Sequence, residues 1–427
     1  MRPGGFDGLG LDRALLRGID AAGYDQPRPI QVETIPAACA GRDVLGLAQT
    51  GTGKTAAFAL PLLERLLDAP RGERARGPRA LILAPTRELA TQIDAELRQL
   101  ARFTRIRSVT VFGGTSARSQ IAALRRHPEV VVACPGRLLD LYGQRAVRFD
   151  DVETLVLDEA DHMFDMGFLP DIKRILRALP EQRQNLLFSA TMPAAIRKLA
   201  DDLLDRAHVV ELAHSTPAGT IEHALYTVSE SRKEALLQEM LADSATASAI
   251  VFTRTKHRAK RLAQKLDRSG HRAIALQGNM SQGQRDRAMR GFRERKFDVL
   301  VATDIAARGI DVSKVSHVIN FDVPITPDAY THRIGRTGRS ENQGKACTFV
   351  TREDRAMVRA IERTIGEPIP RRQIEGFTEE LGSEGRSDRG GERNAKSRSG
   401  GGRGRNTRRG NGRGSGEARR SEGARPG

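Results

Sequence analysis

The chain has no tryptophan, and aromatic residues make up only 4% of its 427 residues. Its three cysteines, Cys39, Cys134 and Cys347, lie far apart and form no Cys-x-x-Cys pair. This spacing excludes a local zinc or redox motif and favours three small buried side chains. No stretch approaches eighteen uninterrupted apolar residues, and the N-terminus lacks a basic segment followed by an apolar one. We therefore expect a soluble, cytoplasmic protein.

Acidic residues are in deficit, since 70 Lys and Arg stand against 53 Asp and Glu, giving a net charge of +17. From Gly382 onward there are 13 Lys and Arg against 5 Asp and Glu, 14 glycines, and no Leu, Ile, Val, Met or aromatic residue. Such a segment cannot bury enough apolar surface to offset its ordering entropy, so we expect a disordered Arg/Gly-rich tail over residues 376–427. The basic balance indicates nucleic acid as a partner. The tail either contacts nucleic acid through charge and guanidinium stacking or only keeps the chain in solution.

The rest of the chain alternates short aliphatic runs with helical patterns, which predicts parallel sheets flanked by helices. We predict an α/β fold with two tandem domains of similar size, residues 1–212 and 220–375, joined by a short polar hinge at 213–219. The strand-like runs of the first domain are 44–48, 80–84, 108–112, 130–133, 154–157 and 185–188. Those of the second domain are 249–252, 272–276, 298–301, 317–321 and 346–350.

Two segments that follow such runs indicate phosphate chemistry. Residues 48–55 read Ala-Gln-Thr-Gly-Thr-Gly-Lys-Thr. A glycine loop ending in Gly-Lys-Thr holds nucleotide phosphates on backbone N–H groups, with Lys54 on the β/γ-phosphates and the Thr55 hydroxyl on Mg²⁺. Residues 158–161 read Asp-Glu-Ala-Asp, and an acidic pair there supplies a carboxylate near the metal, Asp158, and a base for water, Glu159. Together the segments predict hydrolysis of a nucleoside triphosphate.

Each segment on its own has a simpler explanation. Ala48 stands where the usual loop has glycine, Gly-x-Gly is often only a turn, and an acidic tetrapeptide often starts a solvated helix. A third segment, residues 332–339, reads His-Arg-Ile-Gly-Arg-Thr-Gly-Arg and could be a plain basic loop. An arginine brought onto the γ-phosphate from another domain contributes about 10³–10⁵ in rate. Beside a phosphate loop, this segment predicts that role for Arg336 and Arg339.

The ordered set of segments, over about residues 6–373, resembles the DEAD-box ATP-dependent RNA helicases. The resemblance implies two RecA-like domains, ATP and Mg²⁺ as ligands, with Thr55 and Asp158 on the metal, and RNA as partner. The short N-terminal segment and basic tail look most like the bacterial RhlE-type branch. The implied ATP-binding residues include Gln31 as adenine reader, Phe6 packing on the base and Asp311 at the ribose. The full set is Phe6, Gln31, Gln49, Thr50, Gly51, Thr52, Gly53, Lys54, Thr55 and Asp311.

The resemblance implies three further sets of residues. The catalytic set is Lys54, Asp158, Glu159, Arg336 and Arg339. The set that couples hydrolysis to RNA binding is Asp161, Ser189, Thr191 and His332. The set that contacts the RNA backbone is Pro85, Thr86, Arg87, Gly114, Pro135, Gly136, Arg137, Gln282, Arg285 and Thr303.

Two positions depart from the family pattern. Arg28 stands where the family usually has threonine in its adenine-reading segment, so the hydrogen bonds of that loop differ here. Cys134 stands where it usually has threonine before Pro-Gly-Arg, and because a thiol is a weak donor we expect a looser RNA contact there.

The sequence leaves the outcome of ATP turnover open between three activities. The first is local unwinding of short RNA duplexes or RNA–protein remodelling, driven by closure of the two domains on ATP and one RNA strand. The second is an ATP-gated RNA clamp or scaffold, which uses every one of the same motifs. The third, a DNA-directed translocase, fits less well because the adenine-reading segment is typical of the RNA helicases and no accessory DNA-binding element is evident.

Overall fold

The computed structural model describes residues 5–48, 51–69, 76–212, 221–243, 246–307, 315–337 and 344–374. Its first seven strands form one parallel sheet in the order β3-β4-β2-β5-β6-β1-β7. These strands are Val44–Leu47 (β1), Ala80–Leu83 (β2), Ser108–Val111 (β3), Val130–Ala133 (β4), Thr154–Leu157 (β5), Gln184–Ser189 (β6) and His208–Glu211 (β7).

A second seven-stranded parallel sheet has the order β10-β11-β9-β12-β13-β8-β14. Its strands are Ile221–Thr227 (β8), Ala249–Phe252 (β9), Ala273–Leu276 (β10), Val299–Ala302 (β11), His317–Asn320 (β12), Gly344–Val350 (β13) and Arg371–Arg372 (β14). Both sheets belong to one compact unit, Met1–Glu379.

Helices cover both faces of each sheet. Around the first sheet lie Arg13–Ala21 (α1), Pro29–Cys39 (α2), Lys54–Asp68 (α3), Arg87–Leu100 (α4), Ala117–Leu124 (α5), Pro135–Gly143 (α6), Ala160–Asp165 (α7), Leu169–Ala178 (α8) and Ala194–Leu203 (α9). Around the second lie Lys233–Ala242 (α10), Lys256–Arg268 (α11), Gln282–Arg293 (α12), Asp304–Ala307 (α13), Pro327–Ile334 (α14) and Arg355–Ile365 (α15).

Hydroxyl side chains fix where several of these helices begin. Thr86, Thr255 and Thr326 each accept a hydrogen bond from the backbone N–H three residues later, all at 3.2 Å. Such N-caps satisfy one of the free N–H groups of the first turn. They place the start of α4, α11 and α14 at the carboxyl edge of the sheets, since each of these helices follows a strand.

The core of each domain has two layers because successive strand residues point to opposite faces. In β2, Ala80 and Ile82 belong to one buried cluster, whereas Leu81 and Leu83 belong to the other. The first cluster contains α1 to α4, and the second contains α6, α8 and α9. All four β2 side chains are fully buried, which explains why its sequence is continuously apolar rather than alternating.

The two-domain α/β prediction is confirmed, and every predicted strand is present with ends shifted by at most one or two residues. Strands β7, β8 and β14 were not predicted, because His and Glu interrupt the apolar residues of β7 and β8 and because β14 consists of two arginines. The prediction of three buried cysteines is wrong for Cys39, which is exposed at the end of α2, and Cys134 is half-buried. The predicted hinge and tail lie outside the described residues. Within those residues, no helix is long and apolar enough to cross a membrane.

Candidate ATP and RNA site

Sheet order brings the predicted phosphate loop and acidic segment to one edge. The loop follows β1 and Asp158 follows β5, and the only strand between them is β6, which ends at Ser189. Neighbouring strands lie about 4.8 Å apart, so the loop and the acidic segment are roughly 10 Å apart along that edge. Residues a hundred positions apart in sequence therefore face one small region at the carboxyl ends of the strands, where α/β sheets bind ligands.

The phosphate loop ends in a strained turn that only glycine tolerates. Gly51 and Gly53 have φ values of 86° and 93°, and Gly53 is the N-cap of α3. A Cβ on Gly53 would lie 2.7 Å from Gln31 Nε2, so the predicted adenine-reading segment contacts the loop directly. Lys54 is buried, and its Nζ donates to Ala48 O at 2.9 Å. The loop thus folds around its own lysine.

Gln31 and Arg28 both donate hydrogen bonds to the phosphate loop. Gln31 is fully buried, its Nε2 donates to Gly53 O at 3.1 Å and its Oε1 accepts from Arg28 N at 2.8 Å. The Arg28 guanidinium donates to Gly51 O. Arg28, which stands where the family usually has threonine, therefore places a cation beside the loop. A threonine side chain is too short to make this contact.

Glu159 adopts a left-handed backbone conformation, with φ 51° and ψ 53°, directly before α7. Both carboxylates are buried, and Asp158 Oδ1 accepts from Glu159 N at 2.9 Å. Burial and the adjacent Glu159 charge raise the pKa of Asp158, against the pull of Lys54. Burial also favours a higher pKa for Glu159, but His162, Lys54 and Arg336 outweigh it and hold that pKa low. The pKa values of the two neighbouring acids are therefore shifted in opposite directions.

A pair of histidines links the two domains at this point. His162 Nδ1 contacts Glu159 Oε2 at 2.7 Å, and His162 Nε2 lies 3.1 Å from His332 Nδ1. His332 Nε2 is buried without a hydrogen-bond partner among the described residues, and it lies 3.8 Å from Asp161 Oδ2. Burial and the charge of His162 lower the pKa of His332 to about 4. The pair connects the acidic segment of the first domain to the Arg-rich segment of the second.

The arginines of residues 332–339 do not share one role. Arg333 is buried and forms a two-pronged pair with Asp304, at 2.5 and 2.7 Å, and donates to Asn320 Oδ1 at 3.0 Å. It therefore holds α13 to α14. Arg336 is buried near the acidic segment, close enough to lower the pKa of Glu159.

Asp161 ties the acidic segment to the end of β6. Its Oδ2 accepts from Thr191 N at 2.9 Å, Thr191 Oγ1 at 3.0 Å and Ala190 N at 3.2 Å. Ser189 Oγ accepts from Asp161 N at 3.2 Å and donates to Thr191 O at 2.7 Å. The predicted coupling residues Asp161, Ser189 and Thr191 thus form one hydrogen-bond network, and His332 faces it.

Arg87 and Arg137 lie on either side of the loop that contains Gly114. The ideal Cβ position of Gly114 is 4.0 Å from Arg87 Nη1, and Arg137 Nη1 donates to Thr115 O at 3.2 Å. Arg87 Nη1 is buried and has no hydrogen-bond partner among the described residues. A buried N–H donor without a partner is suited to bind an anionic oxygen, such as that of a phosphate.

Cys134 is the N-cap of α6 but makes no side-chain capping bond. Burial and Glu88 raise the pKa of its thiol to about 12, so it stays protonated at neutral pH. It is a weak donor beside the predicted RNA-contacting residues Pro135, Gly136 and Arg137.

The predicted RNA-contact pair of the second domain touches the first domain. Glu88 Oε1 accepts from Arg285 Nη2 at 3.1 Å and from Gln282 Nε2 at 3.3 Å. Arg87 Nη2 pairs with Asp286 Oδ2 at 3.5 Å. Two acids therefore hold three of the predicted RNA-contacting side chains in an interdomain network.

The donor set fits a magnesium ion. Mg²⁺ takes one or two carboxylates, with water and substrate phosphate oxygens completing six ligands. Asp158 offers a buried carboxylate whose pKa is raised by that burial and by the charge of Glu159, and Thr55 follows Lys54 in the first turn of α3. The described residues hold no cluster of three or more His, Cys, Asp or Glu suited to a metal.

The remaining predicted residues are placed as follows. Phe6 is buried and makes an edge-to-face contact with Tyr24, with centroids 6.1 Å apart. Thr303 follows β11 and begins the turn into α13. Four predicted residues lie outside the described part of the chain: Gln49, Thr50, Asp311 and Arg339.

Sequence reasoning did not identify His162 or Glu88 as functional candidates. His162 stands three residues after Glu159, which is one helical turn, and this spacing was the available signal. The contact partners of Glu88 lie almost two hundred residues away, so no local pattern indicated them.

Residues 28–199 match the family described as DEAD/DEAH box helicase, and residues 232–341 match the helicase conserved C-terminal domain. ATP-dependent RNA helicase CshA of Listeria monocytogenes is 43% identical over 360 residues, covering 84% of this chain and 68% of that protein. DEAD-box ATP-dependent RNA helicase CshA of Bacillus subtilis is 43% identical, covering 84% and 72%. The structure of S. cerevisiae Dbp5 bound to RNA and ADP BeF3 superposes with a TM-score of 0.77 at 34% identity, covering 87% of this chain and 95% of that chain.

Proposed function

Because this chain belongs to the DEAD-box ATP-dependent RNA helicases, which hydrolyse ATP and act on RNA, we propose how its own residues perform each step. The observation that carries the proposal is the link from Glu159 through His162 to His332, which joins the hydrolytic centre to the second domain. Closure of the domains completes this link, so ATP chemistry and RNA binding depend on one movement.

ATP binds with its phosphates on the backbone of residues 49–53 and on Lys54. Lys54 leaves its contact with Ala48 O for the phosphate oxygens, so that its ammonium group meets an anionic acceptor in place of a neutral carbonyl. Gln31 and Arg28 connect the adenine side of the site to the loop, with Phe6 packing beside them. Gly51, Thr52 and Gly53 give the backbone its close approach.

Asp158 and Thr55 would hold Mg²⁺. When bound, the ion offsets negative charge on the β- and γ-phosphates. Glu159 orients the attacking water through the carboxylate oxygen that His162 leaves free. Arg336, with Arg339, contacts the γ-phosphate from the second domain and stabilises charge there.

Single-stranded RNA crosses both domains on the face opposite the nucleotide, held mostly by its sugar–phosphate backbone. Arg87 Nη1, buried and unpaired among the described residues, takes a phosphate oxygen. Arg285 and Gln282 exchange part of their bonding to Glu88 for RNA. The other contacts come from Pro85, Thr86, Gly114, Pro135, Gly136, Arg137 and Thr303.

The network of Asp161, Ser189, Thr191 and His332 couples the two ligands. If ATP and RNA both favour the closed arrangement, each tightens binding of the other by the same factor. Closure bends one strand and separates a short duplex, and hydrolysis reopens the domains. A long-lived closed state would instead make the protein a clamp.

The domain limits, the cellular location and the branch of the family are also proposals. We propose domain limits of 1–212 and 220–375, a cytoplasmic location as suits an RNA partner, and membership of the RhlE-type branch. The branch rests on the basic tail, whereas the relatives compared above carry the name CshA. A phylogeny of full-length members tests it.

The deciding experiment is steady-state ATP hydrolysis with and without single-stranded RNA, with single-stranded DNA as the control. We expect strong stimulation by RNA alone. Equal stimulation by DNA would contradict RNA selectivity. ATP-dependent RNA binding without stimulation of hydrolysis would favour the clamp.

A further inference from the structure

Positive charge outside the tail is concentrated in one segment. Residues 254–298 contain 14 Lys and Arg against 4 Asp and Glu, whereas the other residues up to Leu381 contain 43 against 44. Ten net positive charges thus fall within a tenth of the chain. The remainder of the two domains, which includes the predicted ATP-binding residues and the RNA-contact residues of the first domain, is nearly neutral.

This segment wraps around one edge of the second sheet. It contains α11, the edge strand β10 and α12. The two helices lie on opposite faces of the sheet, because Leu262 and Leu266 of α11 belong to one buried cluster and Ala288 and Phe292 of α12 to the other. With helix diameters of about 10–12 Å, cations on their outer sides stand roughly 20 Å or more apart across the edge.

Five of these cations are exposed and make no ion pair within the described residues: Lys260, Arg261, Arg268, Arg287 and Arg290. We call this set the β10-edge surface. Lys260, Arg261 and Arg268 share the outer stripe of α11, since they follow the helical spacing opposite its buried residues. Other cations of the segment are already neutralised, as in the pairs Lys265–Glu234, Arg272–Asp298 and Lys296–Glu294.

The β10-edge surface adjoins the proposed RNA-binding track. The first turn of α12 contributes Gln282 and Arg285, which contact Glu88 across the domain boundary. The helix has 12 residues and so extends about 18 Å from that point. Lys256 at the start of α11 donates to Asn279, in the loop before α12, at 3.1 Å. Both helices therefore begin at the track and carry their free cations away from it.

We propose that the β10-edge surface binds the phosphate backbone of an RNA duplex flanking the single strand held between the domains. Duplex RNA is recognised through shape and phosphate contacts on two strands, across its wide minor groove. Cations on two helices either side of a sheet edge match two phosphate rows better than one strand. The inference rests on the proposed function, since it assumes that the track holds the adjoining single strand.

The test compares two RNAs with the full chain and a non-hydrolysable ATP analogue. One RNA is a single strand that just fills the track, and the other adds a duplex arm. The first variant carries Lys260→Glu, Arg261→Glu and Arg268→Glu. We expect its affinity for the duplex-arm RNA to fall about tenfold or more at low salt, and the log K against log salt slope to decrease by about 2, because each lost phosphate contact removes 0.7–0.9.

The matched control carries Arg355→Glu, Arg359→Glu and Arg363→Glu on α15. These three arginines are also exposed, lie in the same domain and change the same charge, but α15 leads into β14 at the opposite edge of the sheet. We expect the control to bind each RNA with nearly the affinity of the unmodified chain, and so to bind the duplex-arm RNA more tightly than the α11 variant does. Thermal unfolding checks that each variant is folded, and Arg287→Glu with Arg290→Glu tests the surface independently.

Equal losses of duplex-arm affinity in the α11 and control variants would overturn the proposal, because the effect would then depend only on the net charge of the protein. Unchanged duplex-arm affinity in both the α11 and α12 variants would overturn it as well, leaving the cations as protection of an edge strand. Failure of the proposed function looks different. It would appear as absent RNA stimulation of ATP hydrolysis in the unmodified chain.

Discussion

Glu159 shows how one side chain is prepared for its proposed role. Its left-handed backbone is unusual for a residue with a side chain and costs on the order of 1–3 kcal/mol. The Asp158–Glu159 N bond and the His162 contact hold it there. Its lowered pKa makes it a weak proton acceptor but keeps it ionised over the whole neutral range. Orientation of water is the role that such a carboxylate performs best.

We expect Glu159→Gln to bind ATP and RNA but to slow turnover by about 10²-fold or more, because the attacking water is then no longer held in its productive position. Single-turnover hydrolysis and RNA binding measure the two properties separately. Asp150→Asn is the control, because Asp150 is exposed in the same domain and pairs with exposed Arg148. Turnover at the unmodified rate in Glu159→Gln would remove Glu159 from the mechanism.

His332 makes domain closure sensitive to pH. Burial and His162, with Arg336, lower its pKa to about 4, against the charges of Asp161 and Glu159. Separated domains would return it to an ordinary value near 6.5. The closed state then binds fewer protons, so closure is weakened as pH falls below about 6.5, by up to tenfold per unit. The raised pKa of Asp328, caused by burial and nearby Asp161, acts in the opposite sense and at lower pH.

We therefore expect RNA affinity in the presence of an ATP analogue to fall between about pH 7 and about pH 5. His332→Gln should lose this decline, because it removes the titrating group while retaining a hydrogen-bonding side chain. Fluorescence anisotropy across that range measures it. An identical pH profile in both proteins would show that another group is responsible.

At the scale of elements, α1 and α4 pack unusually closely. A Cβ on Gly18 would lie 2.0 Å from the backbone O of Leu100, at the end of α4. Gly18 is fully enclosed in α1, where alanine would otherwise favour the helix by about 1 kcal/mol. Because this contact is with a backbone atom, no flexible side chain can move aside to relieve it. The steric cost of the added methyl group therefore outweighs the helix propensity of alanine.

We expect Gly18→Ala to lower the free energy of unfolding of the first domain by about 1–3 kcal/mol, the usual cost of overpacking. Gly143→Ala is the matched control, since Gly143 ends α6 in the same domain and its Cβ would meet nothing within 4 Å. Thermal unfolding compares them. A stable Gly18→Ala protein would mean that α1 can shift away from α4.

At the scale of the whole molecule, polar contacts join the domains. Among the described residues they include Arg285–Glu88, Arg87–Asp286 and His162–His332. Partly exposed ion pairs contribute at most about 1 kcal/mol each. Such contacts leave the closed arrangement easily reversed, which suits a protein whose two ligands shift it between states.

Deleting residues 382–427 should weaken RNA affinity and flatten its salt dependence, because the segment holds 13 Lys and Arg. Titrations at several salt concentrations measure both, and thermal unfolding checks that the two domains are unchanged. Unchanged affinity at low salt would make the tail a solubilising segment.

The sequence alone predicted the fold class, eleven of the fourteen strands among the described residues, and nucleotide-phosphate chemistry for residues 48–55 and 158–161. Apolar runs and glycine loops are local signals, because a buried parallel strand or a phosphate loop requires those residue types wherever it occurs. Only the tertiary structure decided that Glu88 holds Arg285, that His162 joins Glu159 to His332, and that free cations surround β10. Each depends on which distant residues sheet order and domain closure bring together, and no local pattern encodes that.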